Sequence, residues 1–227
     1  MSAHPSRHPG TVLIAALTHA CVAIGCSAPP ELRPPLPSEA LAGLRADAPI
    51  DAALLTDAGR IGCRLDATRT PRAVALFVGL ALGRASFLDP LTQRVTRRPL
   101  YRDLPIHRAV AGALLQTGDP KGDGTGYPGY RIEVEIAPDD LARLGRPGAL
   151  VLARYTAPPG RADPRPPPAG QVLGSQFALA LIPMPHLVGL VSVIGHCENL
   201  ELARRISLDV SERHTPRRLL EVRIGAQ

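Results

Sequence analysis

Apolar and polar side chains alternate loosely over Ile50–Thr56, which predicts a first strand. Arg60–Leu65 predicts its return after a turn at Asp57-Ala58-Gly59. The period then changes. Val74, Phe77, Val78 and Ala81 recur at helical spacing and predict a helix with one apolar face. Thr70 is its expected N-cap, Pro71 suits the first helical position, and Gly83 lies just past the end. From Leu104 onward the pattern is short β segments between Gly and Pro clusters: Ala113–Gln116, Tyr130–Ile136, Ala149–Ala153, Gln176–Ile182 and Val191–Gly195. A second short helix fits Asn199–Ile206, with Leu200 and Ala203 on one side, and Leu219–Ile224 makes a final strand. Many short strands with two helices predict a mostly β fold, a closed antiparallel barrel plugged at its ends.

Two segments fall outside this pattern. Pro158–Pro168 carries six prolines and cannot be a central strand, so 155–173 reads as a long exposed loop inserted in the domain. Upstream, Thr11–Gly25 is an apolar run broken only by Thr18 and His19, too short to span a bilayer and of the length of a signal-peptide core. It ends in Val22-Ala23-Ile24-Gly25-Cys26, which resembles the lipobox of bacterial lipoproteins. That resemblance implies a diacylglycerol on Cys26, and Ser27 after it implies sorting to an outer membrane facing the periplasm. Pro29, Pro30, Pro34, Pro35 and Pro37 then suggest an extended tether. The expected organisation is a signal peptide over 1–25, a lipid-anchored proline-rich tether over 26–48 and one folded domain over 49–227.

Composition narrows the classes. Apolar residues make up 45% of the 227, enough for a real core, yet aromatics are 3% and Trp is absent. The core must therefore be aliphatic. The net charge of +6 is carried almost wholly by scattered arginines with no interleaved aromatics to stack bases, which argues against nucleic-acid binding. Of the four cysteines, Cys21 leaves with the signal and Cys26 takes the lipid. Cys63 and Cys197 remain, either paired in an oxidising envelope or as two separate buried thiols.

Six short motifs carry the chemistry. Gly59-Arg60-Ile61, Thr70-Pro71-Arg72 with Phe77, Ile106-His107-Arg108, Gln116-Thr117-Gly118-Asp119-Pro120, Gly124–Tyr130 and Gly174-Ser175-Gln176-Phe177 occur in that order. Their order and spacing resemble the cyclophilin family over nearly all of Pro49–Ile224. The resemblance implies an eight-stranded antiparallel barrel with a helix capping each end and prolyl isomerase activity on proline-containing polypeptides at one outer face. That chemistry requires no metal or cofactor, and the expected state is a monomer. Arg108 matches the catalytic arginine of the family, and Gln116 matches the glutamine that holds the substrate backbone. His107 reads as a supporting core residue.

The expected substrate-binding residues are Ala113, Leu114, Ala153, Gln176, Ala178, His186, Leu187 and Val191. Here the chain departs from the family. Two phenylalanines of the proline pocket become Ala113 and Ala178, its Trp becomes His186, and its pocket His becomes Val191. A hollow floor follows unless Tyr101, Tyr155 or the proline-rich loop refills it. The alternative is a non-catalytic module that binds proline-containing segments. Other chemistries fit poorly. Gly118–Gly126 lacks the Gly-Lys-Ser/Thr ending of a phosphate loop, Lys121 and Tyr130 spoil a calcium loop, and Ser175 is not in a nucleophile elbow. His186, His196 and Cys197 lack zinc spacing.

Overall fold

The computed structural model describes residues 31–153 and 171–225. The chain folds from its first hairpin outward. β1 (Ile50–Thr56) returns as β2 (Gly59–Leu65) through Asp57-Ala58, with Thr56 paired to Gly59. The remaining strands are β3 (Phe87–Leu88), β4 (Val95–Thr96), β5 (Arg102–Pro105), β6 (Arg108–Val110), β7 (Leu114–Thr117), β8 (Arg131–Glu133), β9 (Ala149–Leu152), β10 (Gln171–Leu173), β11 (Phe177–Ala180), β12 (Ser192–Cys197) and β13 (Arg218–Ile224). Four helices join them: α1 (Pro37–Ala40), α2 (Pro71–Leu82), α3 (Asp140–Leu144) and α4 (Glu201–Ser211).

Nine strands form one curled antiparallel sheet in the order β5-β13-β1-β2-β12-β9-β11-β7-β6. This corrects the expectation of a closed eight-stranded barrel with two helices. The two edge strands, β5 and β6, are consecutive and only Ile106-His107 separates them. Pro105 has no N–H to carry the ladder on. Ile106 still donates to Arg217 O at 2.9 Å beside β13, whereas Arg108 pairs with Gln116 on β7. The sheet therefore curls until its edges meet through the chain rather than through hydrogen bonds.

α2 runs through the concave side. The expected one-faced helix is buried from Ala73 to Ala81. Its outer side is covered by the segment expected to be a free tether: Pro35 and Ala40 lie 3.1 and 3.3 Å from where a Cβ on Gly79 would sit. Ala40 and Leu41 belong to the main core, and Arg84 binds the carbonyls of Ala40 and Ala42 at 2.8 Å each. From residue 31 the chain is thus part of the domain. Gly83, at φ 69°, ends the helix as expected. Thr70 does not cap it; its hydroxyl donates to Val193 O at 3.0 Å. The distant carboxylate of Glu135 takes the free first-turn amides of Arg72 and Ala73 at 3.2 and 2.7 Å instead. α4 starts two residues later and ends five residues later than the expected Asn199–Ile206.

β9 and β11 are apolar at every position because both faces are covered. Leu150, Leu152, Phe177 and Leu179 point into the main core, where Phe77, Tyr101 and Phe177 pack with centroids 5.1–5.3 Å apart. Val151, Ala178 and Ala180 face outward with Leu114, Ala153, Val191 and Val193 in a second apolar cluster. That outer cluster floors the site. Cys63 and Cys197 are directly opposed on β2 and β12 and form a disulfide, so the open question of their pairing is answered.

Candidate active site

A tight hairpin presents the two polar residues expected to act. β6 and β7 are joined by Ala111-Gly112-Ala113, with Gly112 at φ 63° and its N–H held by Ser207 Oγ of α4 at 2.9 Å. The register sets Arg108 opposite Gln116, and Arg108 Nη1 donates to Gln116 Oε1 at 3.2 Å. Gln116 Nε2 donates in turn to Gln176 Oε1 at 2.9 Å. Gln176 Nε2 ends the relay on the carbonyls of Gly124 and Gly126, at 3.0 and 2.9 Å. Two carbonyl acceptors fix which end of the Gln176 amide donates, and this passes outward to leave the oxygen of Gln116 facing the guanidinium.

The glycine-rich stretch exists to hold those carbonyls. Buried Asp119 accepts the amides of Lys121 and Gly124, and the loop wraps it so closely that a Cβ on Gly126 would lie 1.8 Å from its Oδ1. Gly118, at φ 85°, passes the Ser175 carbonyl with no room for a side chain. The Gln116–Pro120 and Gly124–Tyr130 motifs are one scaffold behind the glutamines.

Beside Arg108 and Gln116 opens a groove of about 490 Å³. Of the expected contacts, Ala113, Leu114, Ala153, Ala178, His186, Leu187 and Val191 line it. Gln176 does not; it is buried behind Gln116 and acts as its support. Val110, Val151, Ala180, Met184 and Leu190 also line the groove, and sequence reading missed them. Val110 and Leu190 are exposed on its rim, 44% and 42%, which is the signature of a surface waiting for an apolar partner.

The family follows from this arrangement together with the match along the chain. Residues 52–224 match the family model of cyclophilin type peptidyl-prolyl cis-trans isomerases. The chain belongs to the cyclophilin family. It is 34% identical to peptidyl-prolyl cis-trans isomerase B of Streptomyces anulatus over 68% of this chain and 79% of that one. It is 32% identical to a peptidyl-prolyl cis-trans isomerase of Helicobacter pylori over 66% of this chain and 74% of that one. Crystal structures of a cyclophilin type isomerase from Cryptosporidium parvum superpose with TM-scores of 0.60 and 0.58 at 21% identity, covering 79% and 78% of this chain and 99% of theirs. One of the two was determined in the presence of the dipeptide Ala-Pro.

Within this cyclophilin Ala113 and Ala178 both line the groove, and no phenylalanine or tyrosine lines it with them among the described residues. Tyr101, expected as one possible filler, is fully buried in the core with its hydroxyl donating to Ser175 O at 3.0 Å. Phe77, Phe87 and Phe177, the three phenylalanines of the chain, are all committed to the interior. Tyr155 and the prolines of 158–168 lie outside the described residues.

His107 sits beneath the site as a structural group. Both ring nitrogens are buried without a well-aligned hydrogen bond among the described residues, although Gln176 lies alongside. Burial pushes its pKa below the usual 6.5, against the pull of Asp119. Burial lowers His196 as well, with Arg146 adding to the effect. Below pH about 6.5 the unfolded chain binds protons at these rings that the folded chain resists, so acid favours unfolding. Thermal unfolding followed from about pH 7 to about pH 5 should show a falling Tm, and His107→Gln with His196→Gln should flatten the slope.

Proposed function

We propose that this cyclophilin accelerates rotation about X-Pro bonds by aiming Arg108 at the prolyl nitrogen while Gln116 holds the adjoining backbone. The uncatalysed barrier is roughly 18–20 kcal/mol because rotation breaks amide resonance. At the top of that barrier the nitrogen regains its lone pair and accepts a hydrogen bond it could not accept when planar. A cation placed there binds the twisted state more tightly than either planar one, and that difference lowers the barrier. The chemistry uses no nucleophile, metal or cofactor. The observation that carries the reading is the Arg108–Gln116 pair, braced through Gln176 and set on the lip of an apolar groove.

The apolar run and the Cys26 lipobox support an envelope address for this activity: export, lipidation at Cys26 and folding of proline-containing envelope proteins. Peptidyl-prolyl isomerisation measured on an Ala-Pro peptide tests the activity, and palmitate labelling with and without Cys26→Ser tests the address.

A groove lined by Ala113 and Ala178, with no phenylalanine or tyrosine among its described lining residues, favours a second reading, a module that binds proline-containing segments with little turnover. Each missing ring removes contact worth roughly 1–3 kcal/mol. Under the enzyme reading, Ala113→Phe should raise kcat/KM on the Ala-Pro peptide by about tenfold, a gain that follows from the same contact energy. Under the binder reading it tightens peptide binding and leaves turnover absent.

A further inference from the structure

The turn between β3 and β4 spends its hydrogen bonds on presenting a leucine to water. Asp89 Oδ1 accepts the amides of Leu91 and Thr92 at 2.9 and 3.2 Å, Asp89 N donates to Arg94 O, and Gln93 N returns to Asp89 O. Arg98 closes the loop on Asp89 Oδ2 at 2.8 Å while its guanidinium covers the Phe87 ring. Leu91, at the tip of this braced turn, is 91% exposed, more than any other large apolar residue among those described. Arg94 and Arg97 follow it in the chain, both exposed and in no ion pair within 4 Å among the described residues, with Arg97 near enough to Glu39 to help hold its carboxylate charged. An ordered apolar tip followed by two exposed arginines matches a bilayer surface with anionic headgroups.

The chain supplies the second observation. Its first described residue, Glu31, shares a small hollow with Arg33, Glu39, Arg84 and Arg97, at the base of this turn. Next to it, Leu32 and Leu88 of β3 converge on Gly129, 3.0 and 3.1 Å from where its Cβ would lie. Cys26 is five residues before Glu31, so a lipid on it is held within about 18 Å of that point even with the chain fully extended. The docked segment beyond residue 31 leaves no longer leash.

From these two observations, and resting on lipidation of Cys26, we infer that the β3–β4 turn is a membrane-docking surface: Leu91 enters the headgroup boundary of an anionic phospholipid layer and Arg94 and Arg97 bind its phosphates. The domain then lies on the bilayer in one orientation instead of swinging from its anchor. Each arginine at such a surface strengthens attachment roughly fivefold.

The chain contains no tryptophan, so the full-length lipidated protein carrying Leu91→Trp has a single reporter. Leu141→Trp, at the 64% exposed position on α3, serves as the reference. Retention of the lipidated protein on vesicles and its release by Cys26→Ser tests the anchor separately. On phosphatidylglycerol vesicles the Leu91→Trp emission should shift to the blue and be quenched by brominated lipid, with the Leu141→Trp emission unchanged. Arg94→Glu with Arg97→Glu should abolish the shift without releasing the anchored protein. An anchored protein whose Leu91→Trp emission stays as solvent-exposed as that of Leu141→Trp overturns the inference and leaves the anchor standing. If Cys26→Ser releases nothing because no lipid is attached, the unlipidated chain should still bind phosphatidylglycerol over phosphatidylcholine vesicles. The double arginine reversal should then weaken binding by roughly 25-fold or more. Equal binding to the two lipids overturns the inference.

Discussion

Arg108→Ala is expected to lower kcat/KM for an Ala-Pro peptide by about 10²–10³-fold, the usual cost of removing one donor that acts mainly in the transition state. The fold should survive. Arg108 is exposed at an edge strand, and among the described residues its side chain makes one hydrogen bond, to Gln116. On the proposed mechanism, what changes is the charge beside the prolyl nitrogen. Arg108→Lys should recover only part of the loss, because an ammonium replaces a planar fork whose one arm is already held by Gln116 Oε1. The same assay on Gln176→Leu should show an intermediate loss. That variant leaves Gln116 Nε2 without its buried acceptor and frees the amide to turn away from the guanidinium. Activity of Arg108→Ala within about twofold of the parent would place the chemistry elsewhere.

Cys63→Ser with Cys197→Ser is expected to cost about 2–4 kcal/mol of stability, read as a drop in the denaturant midpoint with a steeper slope, because the uncrosslinked chain exposes more surface when unfolded. The bond closes a loop with a sequence separation of 134, spanning nearly the whole sheet from β2 to β12. Its loss releases a large entropy into the unfolded chain. Both cysteines are buried, 5% and 1% exposed, so two thiols or hydroxyls left in that space gain no contact with water in return. The groove lies among β6, β7, β9 and β11, so the oxidised and mutated proteins should share the same activity at low temperature. Equal midpoints with and without reductant would show that the disulfide does not form in the protein.

The parts of this fold that could be read from the chain are those with local punctuation. β1 coincides with the expected Ile50–Thr56 because a two-residue turn fixes its end, and α2 coincides because Pro71 and Gly83 bracket it. β3, β4, β5 and β6 were invisible because each is two to four residues long and, unlike β9 and β11, none is a continuous apolar run of four between turn signals: β5 reads Arg-Asp-Leu-Pro and β6 Arg-Ala-Val. α1 hid among prolines that looked like a tether, and only contact with Gly79 shows why those residues are ordered. The cap on α2 comes from Glu135, more than sixty residues away, so no local signal pointed to it. In the site, only the family resemblance pointed to Arg108 and Gln116, which the structure brings together at 3.2 Å; composition and spacing alone single out neither. Gln176 was assigned to the substrate because its position behind Gln116 depends on β11 lying beside β7, a pairing the sequence does not display. Met184, Val110 and Leu190 reach the groove from a turn and an edge, again through tertiary placement.

The account stands on a difference: the guanidinium must favour the twisted amide over the planar one, not merely hold the peptide. Exchange NMR on an Ala-Pro peptide in slight excess over protein reads both quantities at once, peptide affinity from line positions and the bound cis–trans rate from exchange peaks. The predicted result for Arg108→Ala is peptide affinity within about threefold of the parent and a bound exchange rate at least about a hundredfold slower. A loss of affinity with the bound rate preserved would contradict it, because Arg108 would then be a docking residue and the acceleration would come from another group.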